Sequence, residues 1–171
     1  MMLRRLKNRL IAKMVTRFPG LSERFVNSYT PWESDDIPWS AVGKELSSSR
    51  VAIVTTAGVH HKDQIPFDMT DPYGDPSFRE IDSERPVESL MITHDYYDHS
   101  DADRDINIVF PIDRLREFET EGIIGEVSKR HYGFMGHIDG IHIPTLIEKT
   151  APEVAGRLKS DGVDIVLLTP G

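Results

Sequence analysis

The sequence contains no cysteine, which excludes disulfide bonds and thiolate metal sites within these 171 residues. It has no uninterrupted apolar run of about 18 residues, so we expect no transmembrane helix. Neither a G-x-G-x-x-G pattern nor a P-loop is present, and a nucleotide cofactor is therefore not expected. Basic residues are also few, since 20 Lys and Arg stand against 28 Asp and Glu, which argues against nucleic-acid binding. Together these absences favour a cytoplasmic globular protein.

The N-terminal segment carries an excess of positive charge. Residues 1–17 hold six of the basic residues and none of the acidic ones. An apolar residue also recurs there every three or four positions, which predicts an amphipathic helix over 3–18. Such a helix packs on its own domain or docks on an acidic partner. We interpret 1–28 as this N-terminal helix and 29–171 as one further domain. The apolar positions are Leu3, Leu6, Leu10, Met14 and Phe18.

The second part of the chain alternates between strand and helix patterns. Short β-branched or apolar runs at 51–56, 89–93 and 163–168 predict strands. Helices are predicted after Pro111 and over 150–162, where Thr150 and Glu153 fit a capping box. This alternation predicts an α/β fold, a mostly parallel sheet with helices on both faces in a Rossmann-like three-layer arrangement. No helix pattern follows the last strand, so we expect the fold to be incomplete at the C-terminus.

Polar residues follow three of the predicted strands, over 55–61, 93–95 and 169–171. Open parallel sheets bind ligands beyond the carboxyl ends of their strands. If these strands are neighbours, their ends form one substrate pocket. The pocket residues that we expect are Thr55, Thr56, Gly58, His60, His94, Asp95, Asp98, His99, Thr169 and Gly171.

The segment 94–105 allows several interpretations, because it holds five carboxylates and two histidines. Thr93, His94, Asp98 and His99 fit the metallo-β-lactamase pattern Thr-His-x-His-x-Asp-His, which suggests a metal-dependent hydrolase. Tyr96 replaces the middle histidine, however, and tyrosine is a poor substitute for that ligand. We therefore expect no metal there. The other possibilities are a solvated acidic loop that caps a following helix, and a pocket for a cationic amine in a catalytic or non-catalytic domain.

Four stretches resemble one known family in their order and spacing. They are Val51-Ala-Ile-Val-Thr-Thr-Ala-Gly-Val-His60, Asp75-Pro-Ser-Phe-Arg-Glu80, Asp105-Ile-Asn-Ile-Val-Phe-Pro-Ile-Asp113 and Asp161-Gly-Val-Asp-Ile-Val-Leu-Leu-Thr-Pro-Gly171. They are similar to the selenoprotein B family of glycine, sarcosine, betaine and D-proline reductases, and the resemblance covers about residues 31–171.

The resemblance implies an oxidoreductase that reductively cleaves a C–N bond with a dithiol as electron donor. In that family a pyruvoyl group on a partner subunit holds the amine or amino acid, and a selenocysteine on the B-type subunit attacks its α-carbon. That nucleophile, selenocysteine or cysteine, follows directly after the segment that matches 168–171. The resemblance therefore implies a truncated N-terminal portion that lacks the nucleophile and is inactive alone. We expect such a form, with its last strand uncovered, to self-associate.

Overall fold

The computed structural model describes residues 2–18, 20, 23 and 39–171. The predicted boundary between 28 and 29 therefore lies outside the described residues. The helices are α1 (Met2–Arg17), α2 (Ile112–Thr120), α3 (Ile143–Thr145) and α4 (Ala151–Ser160). The strands are β1 (Arg50–Thr55), β2 (Val59–His61), β3 (Phe78–Asp82), β4 (Leu90–Ile92), β5 (Glu126–Val127), β6 (Arg130–Phe134) and β7 (Ile165–Thr169). No helix in this described part of the chain is long and apolar enough to cross a membrane.

The main sheet is built around β1. Strand β1 pairs in parallel with β5 and β6 on one side and with β7 on the other. Strand β3 lies beyond β6 and runs antiparallel to it, and β2 and β4 form a separate antiparallel pair. The predicted α/β class is confirmed, but the sheet is mixed, so the mostly parallel, Rossmann-like arrangement is not confirmed.

Two hydrophobic clusters lie against alternate residues of β1, as expected for a strand buried on both sides. Val51 and Ile53 pack in a cluster with residues of α2, including Ile112 and Leu115. Ala52 packs instead in a cluster with Val154 and Leu158 of α4. The sheet core therefore fixes β1 rigidly, and the carboxyl end of this strand is a well-supported place for a site.

Strands β5 and β6 both pair with β1, and a bulge that contains the buried His131 separates them. Val51 pairs with Val127 and Val54 with Tyr132, so the chain from β5 to β6 has two more residues than β1 over this stretch. The Ile53 N–H donates to Nδ1 of His131 at 2.8 Å, in place of a backbone carbonyl. Burial lowers the pKa of His131 to about 4, so the ring stays neutral and can accept this hydrogen bond.

A 3₁₀ turn at Ile106–Ile108 precedes α2. The predicted start of the helix over 150–162 needs correction. Thr150 is not a helix cap, because its backbone is already helical and its side chain caps nothing. The helix has begun at α3 and continues through a π-helical segment, Leu146–Thr150, into α4. The predicted end of this helix at Gly162 is confirmed by its left-handed backbone, with φ +70°.

Candidate functional site

The carboxyl ends of β1 and β7 lie side by side. The two strands stay in register up to Thr55 and Thr169, and the next residue, Thr56, donates its N–H to the carbonyl of Thr169 at 2.9 Å. The hydroxyls of Thr55 and Thr169 both donate to the carbonyl of Val109, at 3.0 and 2.7 Å. The structure thus brings two of the three predicted strand ends together and ties them to one loop carbonyl.

The third predicted segment reaches the same place through Gly58. Thr93 donates its N–H to the carbonyl of Gly58 at 2.9 Å. Gly58 has a φ of +75°, and a Cβ on it would lie 2.4 Å from the Thr93 oxygen and 3.2 Å from Cβ of His94. Gly171 is also close, since a Cβ there would lie 2.4 Å from Cα of Ala57. The turn over 56–58 therefore connects β1, His94 and the end of β7, and we call this arrangement the strand-end site.

His94 is the histidine that faces the strand-end site. Its side chain is buried, and its Nδ1 accepts a hydrogen bond from the N–H of Tyr96 at 3.1 Å. Its Nε2 is buried without a hydrogen-bond partner among the described residues. Burial lowers the pKa of His94 to about 4, with a smaller contribution from His137 and His99. An unpaired buried donor costs about 1–3 kcal/mol, so this atom has to be explained.

Gly136 completes the site, although the sequence analysis did not single it out for function. A Cβ at this position would lie 3.0 Å from the carbonyl oxygen of Thr56 and 3.4 Å from Nε2 of His94. The backbone of Gly136 therefore packs closely against the turn and the imidazole, and a larger residue would crowd both. A glycine directly after a buried strand indicates a close approach to the backbone, and that signal was available in Phe134-Met135-Gly136.

His60 is one of the predicted pocket residues, but its ring is buried and hydrogen-bonded within the protein core. It is fully buried, with Nε2 at 2.8 Å from the Thr93 hydroxyl and Nδ1 at 2.8 Å from the carbonyl of His61. Burial lowers its pKa, so the ring is neutral and both nitrogens are satisfied. The neighbouring His61 is held in a similar way, between the Ser89 hydroxyl and the Asp82 N–H. Both histidines therefore support the β2–β4 pair.

Asp95 is paired with the N-terminal helix. Its side chain is 4% exposed, and both carboxylate oxygens accept hydrogen bonds from Arg5, at 2.6 and 3.3 Å. Hydrogen bonding to this carboxylate raises the pKa of Arg5. Helix α1 thus packs on its own chain, which was the first of the two alternatives drawn from the sequence. The guanidinium of Arg5 neutralises the carboxylate of Asp95, next to His94.

The side of α1 that packs is not the one that the periodicity predicts. Ala12 is buried, and a groove between α1 and the loop is lined by Asn8, Val15, Tyr96 and Tyr97. The five periodic apolar residues each expose more than half of their surface: Leu3, Leu6, Leu10, Met14 and Phe18. Helix α1 therefore approaches the loop of Tyr96 and Tyr97 through the small Ala12, and not through the five larger apolar residues.

Asp98 and His99 do not join His94. Asp98 accepts hydrogen bonds from Ser100, which lower its pKa, and His99 pairs with Asp103 at 2.8 Å. Tyr96, at the place of the missing histidine, stacks on His137 with the ring centres 4.0 Å apart. In the part of the chain that the structure describes, no group of three His, Asp or Glu residues is arranged to hold a metal ion. The hydrolase alternative therefore finds no support.

The Arg5–Asp95 pair gives a first prediction. We expect Arg5→Ala to lower the free energy of unfolding by about 1–2 kcal/mol, because it leaves a buried carboxylate without its cation while the exposed side of the pair is screened by solvent. Urea denaturation measures this change, and amide hydrogen exchange in α1 should become faster. Arg104→Ala is the matched control, because Arg104 and its partner Asp101 are both 79% exposed. Equal effects of the two substitutions would contradict this role of Arg5.

Comparison with known proteins decides the family. The model of the family described as glycine/sarcosine/betaine reductase selenoprotein B matches residues 4–171 of the chain. The chain belongs to this selenoprotein B family. The resemblance found in the sequence is thus confirmed, and the strand-end site can be considered as part of a selenoprotein B fold.

Curated members of the selenoprotein B family are components of reductase complexes. D-proline reductase subunit gamma of Acetoanaerobium sticklandii is 44% identical over 133 residues, which are 78% of this chain and 53% of that protein. Glycine reductase complex component B subunit gamma of Peptoclostridium acidaminophilum is 30% identical over 164 residues, 94% of this chain and 36% of that protein. The chain thus spans about half or less of these relatives. No solved structure matches it.

Proposed function

We propose that this chain forms the N-terminal portion of a B-type subunit of an amine reductase, and that the strand-end site is its contribution to the active site. The observation that supports this most is the family match over residues 4–171. The structure is consistent with it, because the ends of β1 and β7 meet beside His94. The carboxyl ends of parallel strands are where open α/β sheets bind their ligands.

The sequence has no cysteine, and we propose that the nucleophile is a selenocysteine or cysteine that follows Gly171. Gly171 lies against Ala57, so the next residue would start from a point beside the turn over 56–58. From there a selenolate or thiolate can reach a substrate in the strand-end site.

For the substrate we propose a small amine or amino acid, held by a pyruvoyl group on a partner subunit. D-proline is the first candidate, because the relative named D-proline reductase subunit gamma is 44% identical whereas the glycine reductase component of Peptoclostridium acidaminophilum is 30% identical. Cleavage of the bond between nitrogen and the α-carbon, with two electrons from a dithiol, would open the proline ring.

The outer side of β7 supports the proposal of a larger assembly. Strand β7 pairs with β1, and Val166, Leu167 and Leu168 are 37%, 38% and 72% exposed. Exposed apolar strands at a sheet edge tend to associate. We propose that this face is covered in the assembled subunit, and that the chain self-associates through it when it is not.

A co-purification experiment tests the assignment. The tagged chain, co-expressed with the pyruvoyl-bearing subunit of a D-proline reductase, should retain that subunit through size-exclusion chromatography. The purified chain alone should cleave neither D-proline nor glycine with a dithiol, because methionine thioethers do not act as such nucleophiles. Turnover by the chain alone, or failure to bind the partner in a form that NMR shows to be folded, would contradict the proposal.

A further inference from the structure

Helix α1 presents its apolar side to the solvent. Five large apolar side chains on this side each expose more than half of their surface. In a helix with about 3.6 residues per turn, they lie opposite Arg5 and Ala12, which face the loop 95–97. The helix is therefore held on its own chain by one side only. The five residues, which we call the outer stripe, are Leu3, Leu6, Leu10, Met14 and Phe18.

The outer stripe has the size and the spacing of a docking surface. From residue 3 to residue 18 it extends over about 22 Å of helix, and it exposes on the order of several hundred Å² of apolar surface. Apolar patches of this size commonly mark the places where a soluble protein binds another molecule. Anchors that recur every three or four residues are also typical of a helix that lies in the apolar groove of a partner.

The charge of α1 specifies the kind of surface that can cover the outer stripe. Residues 1–17 hold six basic residues and no acidic ones. Lys7 and Arg17 are exposed and lie on the same side of the helix as the stripe. Carboxylates at the rim of a groove would attract these cations, whereas a second copy of α1 would bring six more cations and repel them. The outer stripe therefore fits an apolar groove with an acidic rim.

Helix α1 is fixed next to the strand-end site. The carboxylate that pairs with Arg5 belongs to Asp95, the residue directly after His94. His94 in turn lies against the end of β1, since a Cβ on Gly58 would be 3.2 Å from the Cβ of His94. A protein that covers the strand-end site would therefore lie next to α1.

We propose that the outer stripe is the surface on which another subunit of the reductase complex docks, through an apolar groove with carboxylates at its rim. This rests on the proposed function, in which a partner subunit brings the substrate to the strand-end site. The loop 95–97 then links docking to the site, because it holds α1 and directly follows His94. Helix α1 thus packs on its own chain with one side and binds an acidic partner with the other.

Partner binding by variants of the outer stripe is the first test. The tagged chain is immobilised and titrated with the purified pyruvoyl-bearing subunit of a D-proline reductase. Leu6→Gln combined with Leu10→Gln keeps good helix formers and should weaken binding about tenfold or more, because less apolar surface is buried in the groove. Circular dichroism should show an unchanged fold, since both leucines are exposed in the free chain.

Ile123→Gln is the matched control for the leucine variants. Ile123 is also a large exposed apolar residue, with 42% of its surface accessible. It lies shortly before β5, which pairs with the start of β1 at Arg50 and Val51, and so at the end of the sheet opposite the strand-end site. This substitution should leave the affinity for the partner subunit unchanged.

Charge reversal on the same side of α1 tests the acidic rim. Lys7→Glu combined with Arg17→Glu should weaken binding about tenfold, mainly through slower association. The affinity of this variant should also depend less on the salt concentration than that of the native chain. Arg114→Glu combined with Lys159→Glu changes the net charge equally but on α2 and α4, and it should bind almost normally.

Unchanged partner binding in both double variants of α1 would overturn the proposal. If the native chain binds the partner equally well, the chain keeps its assignment as a reductase subunit and the partner docks elsewhere. If the native chain does not bind the partner at all, the proposed function fails together with the docking. Light scattering and flotation with anionic lipid vesicles identify other occupants. A dimer or a vesicle complex that requires Leu6 and Leu10, beside unchanged partner binding, would assign the outer stripe to a second copy or to a lipid surface instead.

Discussion

We expect Gly58→Ala to lower the free energy of unfolding by about 3 kcal/mol or more, the largest effect of any single substitution considered. Two causes add. A φ of +75° costs a non-glycine residue about 1–2 kcal/mol, and the new Cβ would overlap the Thr93 carbonyl oxygen at 2.4 Å. Relief of this overlap has to break the hydrogen bond from Thr93 to Gly58, which costs a further ~1 kcal/mol, and it displaces the adjacent His94.

Gly122→Ala is the control for this prediction. Gly122 has nearly the same φ, +71°, but a Cβ there would meet no atom within 4 Å. It should therefore cost only the backbone term, about 1–2 kcal/mol. Urea denaturation followed by circular dichroism compares both variants with the native chain. If the two alanines destabilise the protein equally, the close packing of the 56–58 turn on Thr93 is wrong.

The elements that the sequence predicted well carry strong local signals. The β-branched run from Val51 ends at Ala57-Gly58, and β1 occupies Arg50–Thr55. Helix α2 starts directly after Pro111, because proline suits the start of a helix. Gly162 ends α4 with a left-handed backbone. In each case the deciding interaction lies within a few residues along the chain.

The parts that were missed depend on pairing between distant segments. Strand β3, with the sequence Phe-Arg-Glu-Ile-Asp, was hidden in a long connection, and it is a strand because β6 pairs with it in the antiparallel direction. Strand β2 was also missed, because its three residues are too few for a periodicity to develop. The strand predicted at 89–93 is confirmed as β4. Its antiparallel pairing with β2 could not be derived from composition, and the mixed arrangement was therefore not predicted.

In the candidate site, too, local signals could be interpreted from the sequence, whereas contacts between distant segments could not. The preference for strand ends directed attention to Thr56, His94 and Gly171, which the structure brings near one turn. It also included His60, whose two nitrogens are both used in the core. Arg5 was not connected with Asp95, because the two residues are 90 positions apart and nothing in the sequence indicates their contact. Burial and tautomer decide which histidine is available, and neither can be obtained from the order of residues.

We expect the second large effect in the reductase activity of a reconstituted complex. The chain continued past Gly171, with selenocysteine or cysteine at the next position, is co-expressed with the pyruvoyl-bearing subunit. It should cleave D-proline to 5-aminopentanoate with consumption of a dithiol. The complex that contains the 171-residue chain should be slower by about 10³-fold or more, the usual cost of removing a nucleophile. Serine at the added position serves as the matched control and should be equally inactive.

This comparison tests most directly the claim that the ends of β1 and β7 present the nucleophile of an amine reductase. The account predicts activity that requires both the added chalcogen and the partner subunit, with D-proline, glycine, sarcosine and betaine tried in turn. Equal activity of the serine and selenocysteine forms, or no cleavage of any of the four substrates by a well-folded complex, would contradict it.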